Sequence, residues 1–253
     1  MSIIYKEFTN DSDISQCVSL QSEIFGLQDV DIISSQVLKL FIKERTKIGI
    51  AVGAYDTDDE KMIGFILGFR MTPEDSIYTV MLGVKKEHDN KSYGYKLMMK
   101  YREYALAQNI VSTYCSFEPL STNLARLYMG IDGFTGVEYI TDNNSNAYPK
   151  DKLLAKWDFK HQNSSVNSFS NDKLKEIQIV NDSNRVDSNQ LLIEIPDNYS
   201  VFLEQDVALA LHLRMSMRKM LNYYVNDNKY KVSGCYKLKI QDERKCYYLL
   251  EKQ

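Results

Sequence analysis

The stretch Val84-Lys-Lys-Glu-His-Asp-Asn-Lys-Ser-Tyr-Gly-Tyr-Lys-Leu-Met98 decides the fold, because it joins a strand pattern to a helix pattern through a polar loop. Residues 77–84 before it are mostly apolar or β-branched and predict a strand. After it, one helix face recurs every four residues, at Tyr93, Leu97, Tyr101 and Ala105. The first N–H groups of a helix have no partners inside the helix, and the helix dipole favours negative charge there. Strand, loop and helix start therefore indicate a site for an anion, such as a phosphate-bearing cofactor.

Composition and charge are those of an ordinary globular protein. The chain has 253 residues, of which 44% are hydrophobic and 26% charged, enough for one large domain or two small ones. A formal net charge of −3 gives no support for nucleic-acid binding. No apolar run approaches the roughly 18 residues of a membrane span, and residues 1–6 lack the apolar core of a signal peptide. We therefore expect no nucleic-acid partner and no membrane partner.

The cysteine spacing bears on compartment and metal binding. The four cysteines stand at 17, 115, 235 and 246, with no Cys-x-x-Cys pair. This scatter is typical of free thiols in a reducing compartment and does not indicate a zinc site or a disulfide framework. We expect a cytoplasmic protein without a bound metal.

Apolar periodicity predicts alternating strands and helices over residues 1–160. Strands are expected at 3–8, 48–55, 62–71, 77–84, 111–117, 134–140 and 153–160. Helices are expected up to 25 after a cap at Asp11 or Asp13, up to about 47 after a cap at Ser34 or Ser35, from 93 to about 108, and up to 129 after a cap at Ser121 or Thr122. The strands 48–55, 62–71 and 77–84 are consecutive, so they are expected to pair as a meander.

The composition changes beyond residue 160. Residues 161–172 are rich in Ser and Asn and poor in apolar side chains, which is typical of a linker. After them we expect a strand at 190–196, a helix at 206–224 and a hairpin at 230–240 and 245–250. The prediction is an α/β (α+β) fold with a mostly antiparallel sheet flanked by helices at 1–160, a polar linker at 161–173 and a smaller C-terminal α/β unit at 174–253.

The order of these elements resembles the GNAT acyltransferase fold. Asp89-Asn-Lys-Ser-Tyr-Gly94 stands at the place of the family's Arg/Gln-x-x-Gly-x-Gly/Ala acyl-CoA signature. Ser116-Phe-Glu-Pro-Leu-Ser-Thr-Asn123 is similar to the Thr-Phe-Asp-Pro-Leu-x-x-x-Asn stretch of one branch, a group of predicted acetyltransferases. The resemblance implies a GNAT-like domain at 1–160.

The C-terminal part is similar to the same branch. Its Val-Glu-Ile-Pro, Ala-x-x-Trp-Arg-x-x-x-Arg and Gly-Tyr-x-Val elements are matched by Leu192-Ile-Glu-Ile-Pro196, by Ala210-Leu-His-Leu-Arg214 with Arg218, and by Tyr230-Lys-Val232. The resemblance thus covers nearly the whole chain. It implies that 174–253 is an extension resembling a partial second GNAT fold.

The resemblance also implies a co-substrate and the residues that hold it. The co-substrate would be acetyl-CoA or another acyl-CoA, whose pyrophosphate the loop's N–H groups hold. The implied binding residues are Leu82, Gly83, Val84, Asp89, Asn90, Lys91, Ser92, Tyr93, Gly94, Tyr95 and Asn123.

The loop departs from the family signature at two positions. Asp89 replaces the usual Arg or Gln, and Ser92 the usual first Gly. A carboxylate close to a pyrophosphate costs on the order of a few kcal/mol at an effective dielectric near 20. Nearby cations can offset this charge, namely Lys85, Lys86 and Lys91. We predict that the loop binds acyl-CoA; the alternative is a strand–helix loop that has lost its cofactor.

Two residues are candidates for proton transfer. Glu118 follows a predicted strand and is a candidate base for the attacking amine, directly or through water. Its structural alternative is a carboxylate that caps the helix beginning near Ser121. Tyr128 lies where many GNAT enzymes place a tyrosine that protonates the CoA thiolate, although Gly133-Phe134 follow it by one residue more than usual. The alternative for Tyr128 is core packing.

Three further residues, Cys115, Arg214 and Arg218, bear on substrate chemistry. Cys115 is expected to be a small buried side chain and not a nucleophile. Arg214 and Arg218 lie four apart and so share a helix face. They either clamp a substrate carboxylate or phosphate, or form ion bridges, for example with Glu194 or Asp206.

The predicted function is acyl-CoA-dependent N-acyl transfer, most simply acetyl transfer, to an amine of a small molecule by direct attack on the thioester. The alternative is a GNAT-like binding or regulatory protein that does not catalyse. Transfer to a protein lysine or N-terminus has no support in the sequence. The sequence is compatible with a homodimer.

Overall fold

The computed structural model describes residues 2–26, 31–42, 48–72, 75–88, 91–143, 149–160, 171–197, 199–240 and 243–253. The chain divides into two compact units, Met1–Tyr114 and Cys115–Gln253. This division falls inside a strand and not at the polar segment 161–173. Residues 161–170 lie outside the described part, and a short helix, α5, begins at Asn171. Whether 174–253 is a folding domain of its own stays a prediction.

In the described residues, the first unit is an antiparallel meander with three α-helices. Its strands are β1 Ile3–Glu7, β2 Gly49–Asp56, β3 Met62–Arg70 and β4 Ser76–Val84, paired in that order. Its helices are α1 Asp11–Phe25, α2 Ser35–Ile42 and α3 Tyr93–Ala107. Strand β5, Ser112–Phe117, begins in this unit. The predicted meander and the start of α3 are confirmed, whereas the predicted end of α2 near 47 falls outside the described residues.

Helix α1 begins with a reciprocal cap that differs from the prediction. The Asn10 side chain accepts a hydrogen bond from the Asp13 N–H at 3.0 Å. The Asp13 carboxylate in turn accepts from the Thr9 N–H at 2.8 Å. Asn10 is therefore the cap, in place of Asp11 or Asp13, and the Asp13 side chain reaches back to the N–H of the residue before the cap.

A buried polar contact links α3 to the middle of the meander. The pairing of β3 with β4 shifts between Leu67, opposite Met81, and Gly68, opposite Thr79, so Val80 is an extra residue in β4. The Thr79 hydroxyl lies 3.1 Å from the Tyr101 hydroxyl of α3. A Cβ on Gly68 would lie 1.8 Å from that hydroxyl, so only glycine leaves room for it. The bulge in β4 is thus held in place by a side chain of α3.

The described part of the second unit contains the six paired strands that follow β5. They are β6 Phe134–Ile140, β7 Lys152–Asp158, β8 Ile179–Val180, β9 Gln190–Ile195, β10 Tyr230–Ile240 and β11 Glu243–Lys252. Their order is β7-β6-β10-β11-β9-β8, antiparallel except for β8 with β9. Strand β10 joins β6 through Val232 opposite Gly136, where a Cβ on the glycine would lie 2.9 Å from the Val232 Cβ. The absence of a side chain at Gly136 therefore permits this junction.

The helices of the second unit include two that the sequence analysis does not predict, α5 and α6. The described helices are α4 Thr122–Met129, α5 Asn171–Lys175, α6 Tyr199–Gln205 and α7 Val207–Leu221. Asp206 caps α7 by accepting from the Leu209 N–H at 3.0 Å, and a π-helical turn over Asn222–Asp227 follows. Helix α6 was not predicted because it is short and apolar on exposed positions. The mixed α/β class with mostly antiparallel strands is as predicted, and no helix of the described residues is long and apolar enough to cross a membrane.

Candidate functional site

The predicted anion loop leads from the end of β4 to the N-terminus of α3. Leu82, Gly83 and Val84 are the last residues of β4, and a 3₁₀ turn follows at Lys86–His88. Helix α3 runs for 15 residues from Tyr93 and has no acidic residue in its first turn. Among the predicted binding residues, Lys91 to Tyr95 surround this helix start, whereas Asp89 and Asn90 lie outside the described residues. The structure thus places most of the predicted loop around one long helix N-terminus.

Ser92 has the backbone conformation of a glycine. It is the N-cap of α3 with φ 59° and ψ 19°, in the left-handed region, and its side chain makes no capping hydrogen bond. That region costs a residue with a Cβ about 1–2 kcal/mol and costs glycine nothing. The position where the family signature carries its first Gly therefore keeps the glycine conformation in this chain, although the residue is serine.

We expect Ser92→Gly to stabilise the protein by up to about 1 kcal/mol. Glycine relieves the left-handed strain, and the larger freedom it gives the unfolded chain cancels part of that gain. Chemical denaturation would measure the change. Ser121→Gly is the matched control, because Ser121 is also an N-cap without a side-chain capping bond but has φ −82°. If Ser92→Gly changes the free energy of unfolding no more favourably than Ser121→Gly does, the backbone at Ser92 is not strained.

The loop's surroundings constrain two of its predicted roles. Lys85 pairs with Glu23 of α1 at 3.1 Å, so this lysine is partly neutralised before any anion arrives. A Cβ on Gly83 would lie 2.8 Å from the ring of Phe25. The glycine at 83 is thus required for packing of the α1 end against β4, whatever its relation to a cofactor.

Glu118 is held by two donors in the second unit. Its Oε1 accepts a hydrogen bond from the Leu120 N–H at 3.0 Å, and its Oε2 accepts from the Arg214 guanidinium at 2.5 Å. These contacts are those of a carboxylate that braces the start of α4. They leave the role of general base for Glu118 as a proposal.

Tyr128 lies in an aromatic cluster. Its ring centroid is 5.1 Å from that of Phe117 and 5.5 Å from that of Phe134, and its side chain is buried. The cluster continues from Phe134 to Trp157 at 5.0 Å. These contacts are those of a core residue, and the role of thiolate acid for Tyr128 stays a proposal.

Arg218 is bound to a fully buried carboxylate. Its Nε donates to Asp151 Oδ2 at 2.9 Å, its Nη2 donates to Asp151 Oδ1, and Nη2 also donates to the Asp142 carbonyl at 2.9 Å. Asp151 also accepts from the Tyr139 hydroxyl at 2.8 Å. Burial acts to raise the pKa of Asp151, but the hydrogen bonds from Arg218, the Asp142 N–H and Tyr139 prevail, so this pKa lies below its usual range.

The two arginines therefore have ion-pair partners other than those expected. Arg214 pairs with Glu118 and Arg218 with Asp151, neither with Glu194 or Asp206. The reason is that Glu194 pairs with Lys245 at 3.2 Å. The Asp206 side chain is used as the cap of α7. Substrate binding by Arg214 and Arg218 stays a proposal, and for Arg218 it would require competition with Asp151.

A cavity of about 220 Å³ lies beside Arg214, within the second unit. It is lined by Glu118, by the first turn of α4 including Asn123, and by Asp197, Tyr199 and Ser200 around the start of α6. Glu118, Asn123 and Arg214 are among the site residues predicted from the sequence, whereas Asp197, Tyr199 and Ser200 are not. These three residues lie around the start of α6, and the sequence pattern does not predict this helix. Without α6, nothing in the sequence indicates that they reach the cavity.

Cys115 is buried, and its burial raises the pKa of the thiol. The other three cysteines are also buried and free. A protonated, enclosed thiol is a poor nucleophile. These environments agree with the expectation that Cys115 packs as a small apolar residue.

Comparison with known proteins identifies the fold. The sequence model of the acetyltransferase (GNAT) family matches residues 23–131. The ribosomal-protein-S18-alanine N-acetyltransferase from Escherichia coli is similar in structure with a TM-score of 0.51, at 9% identity over 65% of this chain and 99% of that chain. A probable acetyltransferase from Staphylococcus epidermidis is similar with a TM-score of 0.51, at 16% identity over 62% of this chain and 99% of that chain. Aminoglycoside 6'-acetyltransferase type Ii is similar with a TM-score of 0.50, at 17% identity over 63% of this chain and 99% of that chain.

No curated protein matches the sequence. At these low sequence identities, the solved structures show similarity of fold only. The matched region contains the loop between β4 and α3. It also contains the N-terminus of the 15-residue helix α3 and Ser92, whose backbone has a conformation typical of glycine. Residues 23–131 therefore match the acetyltransferase (GNAT) family model, and the fold is similar to that of solved GNAT acetyltransferases.

Proposed function

We propose that this protein is an acyl-CoA-dependent N-acyltransferase, most simply an acetyltransferase, that transfers the acyl group to an amine of a small molecule. The observation that carries the proposal is the start of α3 inside the region that matches the GNAT family. There, a 15-residue helix follows β4, its first turn has no acidic residue, and its N-cap keeps the conformation of a glycine. These features fit the pyrophosphate of an acyl-CoA.

In the proposed reaction the protein acts mostly by position and by its backbone. The thioester of the bound acyl-CoA supplies the activated acyl group. The N–H groups at the start of α3 hold the pyrophosphate, and N–H groups of the loop and of β4 polarise the carbonyl. Glu118 takes the amine proton and Tyr128 donates one to the departing thiolate in this proposal. Since Glu118 is paired with Arg214, it serves as a base only while that pair is open.

Calorimetric titration with a panel of acyl-CoAs tests the proposal. We expect one of them, acetyl-CoA first, to bind with a Kd below about 1 mM, which corresponds to about −4.1 kcal/mol. Free CoA should bind as well, because the pyrophosphate carries the recognition, whereas pantetheine, which has no phosphate, should not. Absence of binding by every acyl-CoA at millimolar concentration would reject acyl-CoA as the co-substrate.

Asp89→Arg is expected to tighten acyl-CoA binding by about tenfold or more. The substitution removes a carboxylate from the loop and restores the cation that the family signature carries, a change worth on the order of a few kcal/mol before solvent screening. Glu60→Arg is a matched charge change in the turn between β2 and β3 and should leave binding unchanged. Unchanged or weaker binding by Asp89→Arg would mean that the loop does not hold the pyrophosphate in this way.

A second candidate function is that of a GNAT-like binding or regulatory protein without catalysis. Two contacts favour it: Glu118 is tied to Arg214, and Tyr128 packs in an aromatic cluster. A transfer assay with labelled acetyl-CoA and a panel of small amines separates the two functions. Transfer that is lost in a Gly94→Val variant would exclude the second candidate, and binding without transfer would support it.

The acceptor and the setting are also proposals. The solved structures of the same fold include an acetyltransferase named for a ribosomal protein and one named for aminoglycosides, so the fold alone does not choose between protein and small-molecule amines. We favour a small molecule in the cytoplasm, and the four buried free thiols support a reducing compartment.

A homodimer is also part of the proposal. Size-exclusion chromatography with light scattering would test for it.

A further inference from the structure

Val80 is a solvent-exposed residue within a strand of the first unit. It is the extra residue of the bulge in β4 and is 38% exposed, whereas Ile77 and Thr79 before it are buried. The extra residue of a bulge is left out of the strand ladder, and bulges are frequent next to active sites. The bulge therefore interrupts the ladder with β3 at a point that solvent reaches, which suits it to present backbone N–H groups of β4 to a ligand.

Three buried hydroxyl groups form a row next to this bulge. The Tyr101 hydroxyl lies 3.1 Å from that of Thr79, which lies 2.9 Å from that of Thr113. The Thr113 hydroxyl also donates to the carbonyl of Ile77 at 3.1 Å. The hydroxyl row thus begins on α3 and ends on the backbone of β4. Because all three side chains are buried, water does not compete for these bonds, and the row favours one geometry of the strand.

Helix α3 connects the hydroxyl row to the proposed pyrophosphate site. Gly94 lies in the first turn of α3 and Tyr101 about two turns later, which is about 10 Å along the axis at 1.5 Å per residue. Leu97, Tyr101 and Ala105 are fully buried on one face of the helix, so this part of α3 is held against its surroundings by packing. The start of α3 and the bulge in β4 are therefore fixed relative to each other through one helix and one hydrogen-bonded side chain.

We propose that Tyr101 is a positioning residue of the acyltransferase. Its hydroxyl holds Thr79, and with it the bulge at Val80, at a set distance from the helix start that binds the pyrophosphate. The thioester carbonyl of an acyl-CoA bound at that start is then aligned with the N–H groups of β4 at the bulge. Tyr101 is fully buried, so it acts through Thr79 and touches neither the carbonyl nor the pyrophosphate. The inference rests on the proposed function and adds to it the residue that sets this alignment.

Isotope-edited infrared spectroscopy with acetyl-CoA that carries ¹³C at the acyl carbonyl tests the proposal. In the wild-type complex, N–H donors polarise the carbonyl, so we expect its stretching band at a lower frequency than in free acetyl-CoA. Tyr101→Phe removes only the hydroxyl and should reduce this shift by more than about half, because the donors are no longer aligned. The Kd for acetyl-CoA should change by less than about threefold, since the pyrophosphate contacts remain.

Tyr55→Phe is the matched control for the loss of a buried hydroxyl. The Tyr55 side chain is also buried in the first unit, but its hydroxyl donates to Asp13 of α1 at 2.7 Å. This variant should keep the shift of the carbonyl band. If Tyr55→Phe loses the shift as Tyr101→Phe does, the effect is one of general stability and the positioning role is wrong.

Two substitutions of Thr79 test the hydroxyl row without changing Tyr101, and they decide alone if Tyr101→Phe does not fold. Thr79→Val keeps the β-branched shape but removes the hydroxyl, and it should reduce the shift as Tyr101→Phe does. Thr79→Ser keeps the hydroxyl and should retain the shift. A wild-type complex without a shifted band would overturn the proposal, and so would an undiminished shift in Thr79→Val.

Calorimetric titration of the wild type with acetyl-CoA separates this inference from the proposed function. A wild type that does not bind acetyl-CoA would reject both. A wild type that binds it with a shifted band, together with Tyr101 and Thr79 variants that leave the band unchanged, would reject the positioning role and leave the proposed function in place.

Discussion

Arg218→Met should lower the free energy of unfolding by about 3–5 kcal/mol, the range found when one partner of a buried ion pair is removed. Asp151 is fully buried and takes two hydrogen bonds from Arg218. Methionine preserves the apolar stem of the side chain but leaves this carboxylate without its counter-charge. Urea denaturation followed by tyrosine and tryptophan fluorescence would measure the loss.

Two further variants show whether the loss comes from the ion pair. Arg244→Met removes an exposed arginine from β11 and should change stability by less than about 0.5 kcal/mol. The double variant Arg218→Met with Asp151→Asn should be more stable than Arg218→Met alone, because the amide needs no counter-charge. A double variant as unstable as the sum of its single changes would contradict the coupling.

The pH dependence of the same pair has a definite sign. Since the pKa of Asp151 is lowered in the folded protein, the pair contributes stability above the ordinary Asp pKa of about 3.9 and loses it as the pH falls through the folded pKa. The difference in stability between wild type and Arg218→Met should therefore be largest near neutral pH and shrink below about pH 4. A difference that stays constant down to acidic pH would show that the arginine stabilises by packing and not by charge.

Gly94→Val is expected to weaken acyl-CoA binding by more than about 100-fold, or about 2.7 kcal/mol. Gly94 is the second residue of α3, so its N–H is one of those without a partner inside the helix. In the proposed function the pyrophosphate approaches this N–H closely, and a branched side chain would keep it away. Calorimetric titration with acetyl-CoA would measure the loss.

Gly94→Ala separates the loss of binding from a loss of fold. Alanine favours a helix over glycine by about 1 kcal/mol, so this variant should be at least as stable as the wild type. It should nevertheless bind acetyl-CoA more weakly, by an amount between wild type and Gly94→Val. If both variants bind acetyl-CoA as the wild type does, the loop is not the site of the pyrophosphate, and the non-catalytic function becomes the better account.

Local pattern was sufficient for most of the secondary structure. The strands of the meander and the start of α3 follow from apolar spacing over a few residues, because alternation and four-residue spacing each expose one face to the core. The resemblance of the loop to an acyl-CoA signature also came from adjacent residues. Helix caps were less accurate, as Asn10 shows, because several neighbouring polar residues can accept the same N–H groups.

The contacts of the candidate site could not be derived in this way. Arg214 meets Glu118 across 96 positions of sequence, and Arg218 meets Asp151 across 67. Nothing in the spacing of two arginines on a helix face states which distant carboxylate will face them. Asp206 and Glu194 were nearer in sequence, but the tertiary structure uses the first as a cap and pairs the second with a lysine.

The sequence by itself determined the fold class, the order of the elements and the position of the loop before α3, because these depend on periodicity and on short motifs. Only the tertiary structure decided that Ser92 adopts a left-handed backbone, that Tyr128 packs among aromatic rings and that α6 brings Asp197 to a cavity beside Arg214. The physical reason is range. Apolar spacing acts within a turn or a strand, whereas backbone strain, charge pairing and cavity shape are set by segments that only folding brings together.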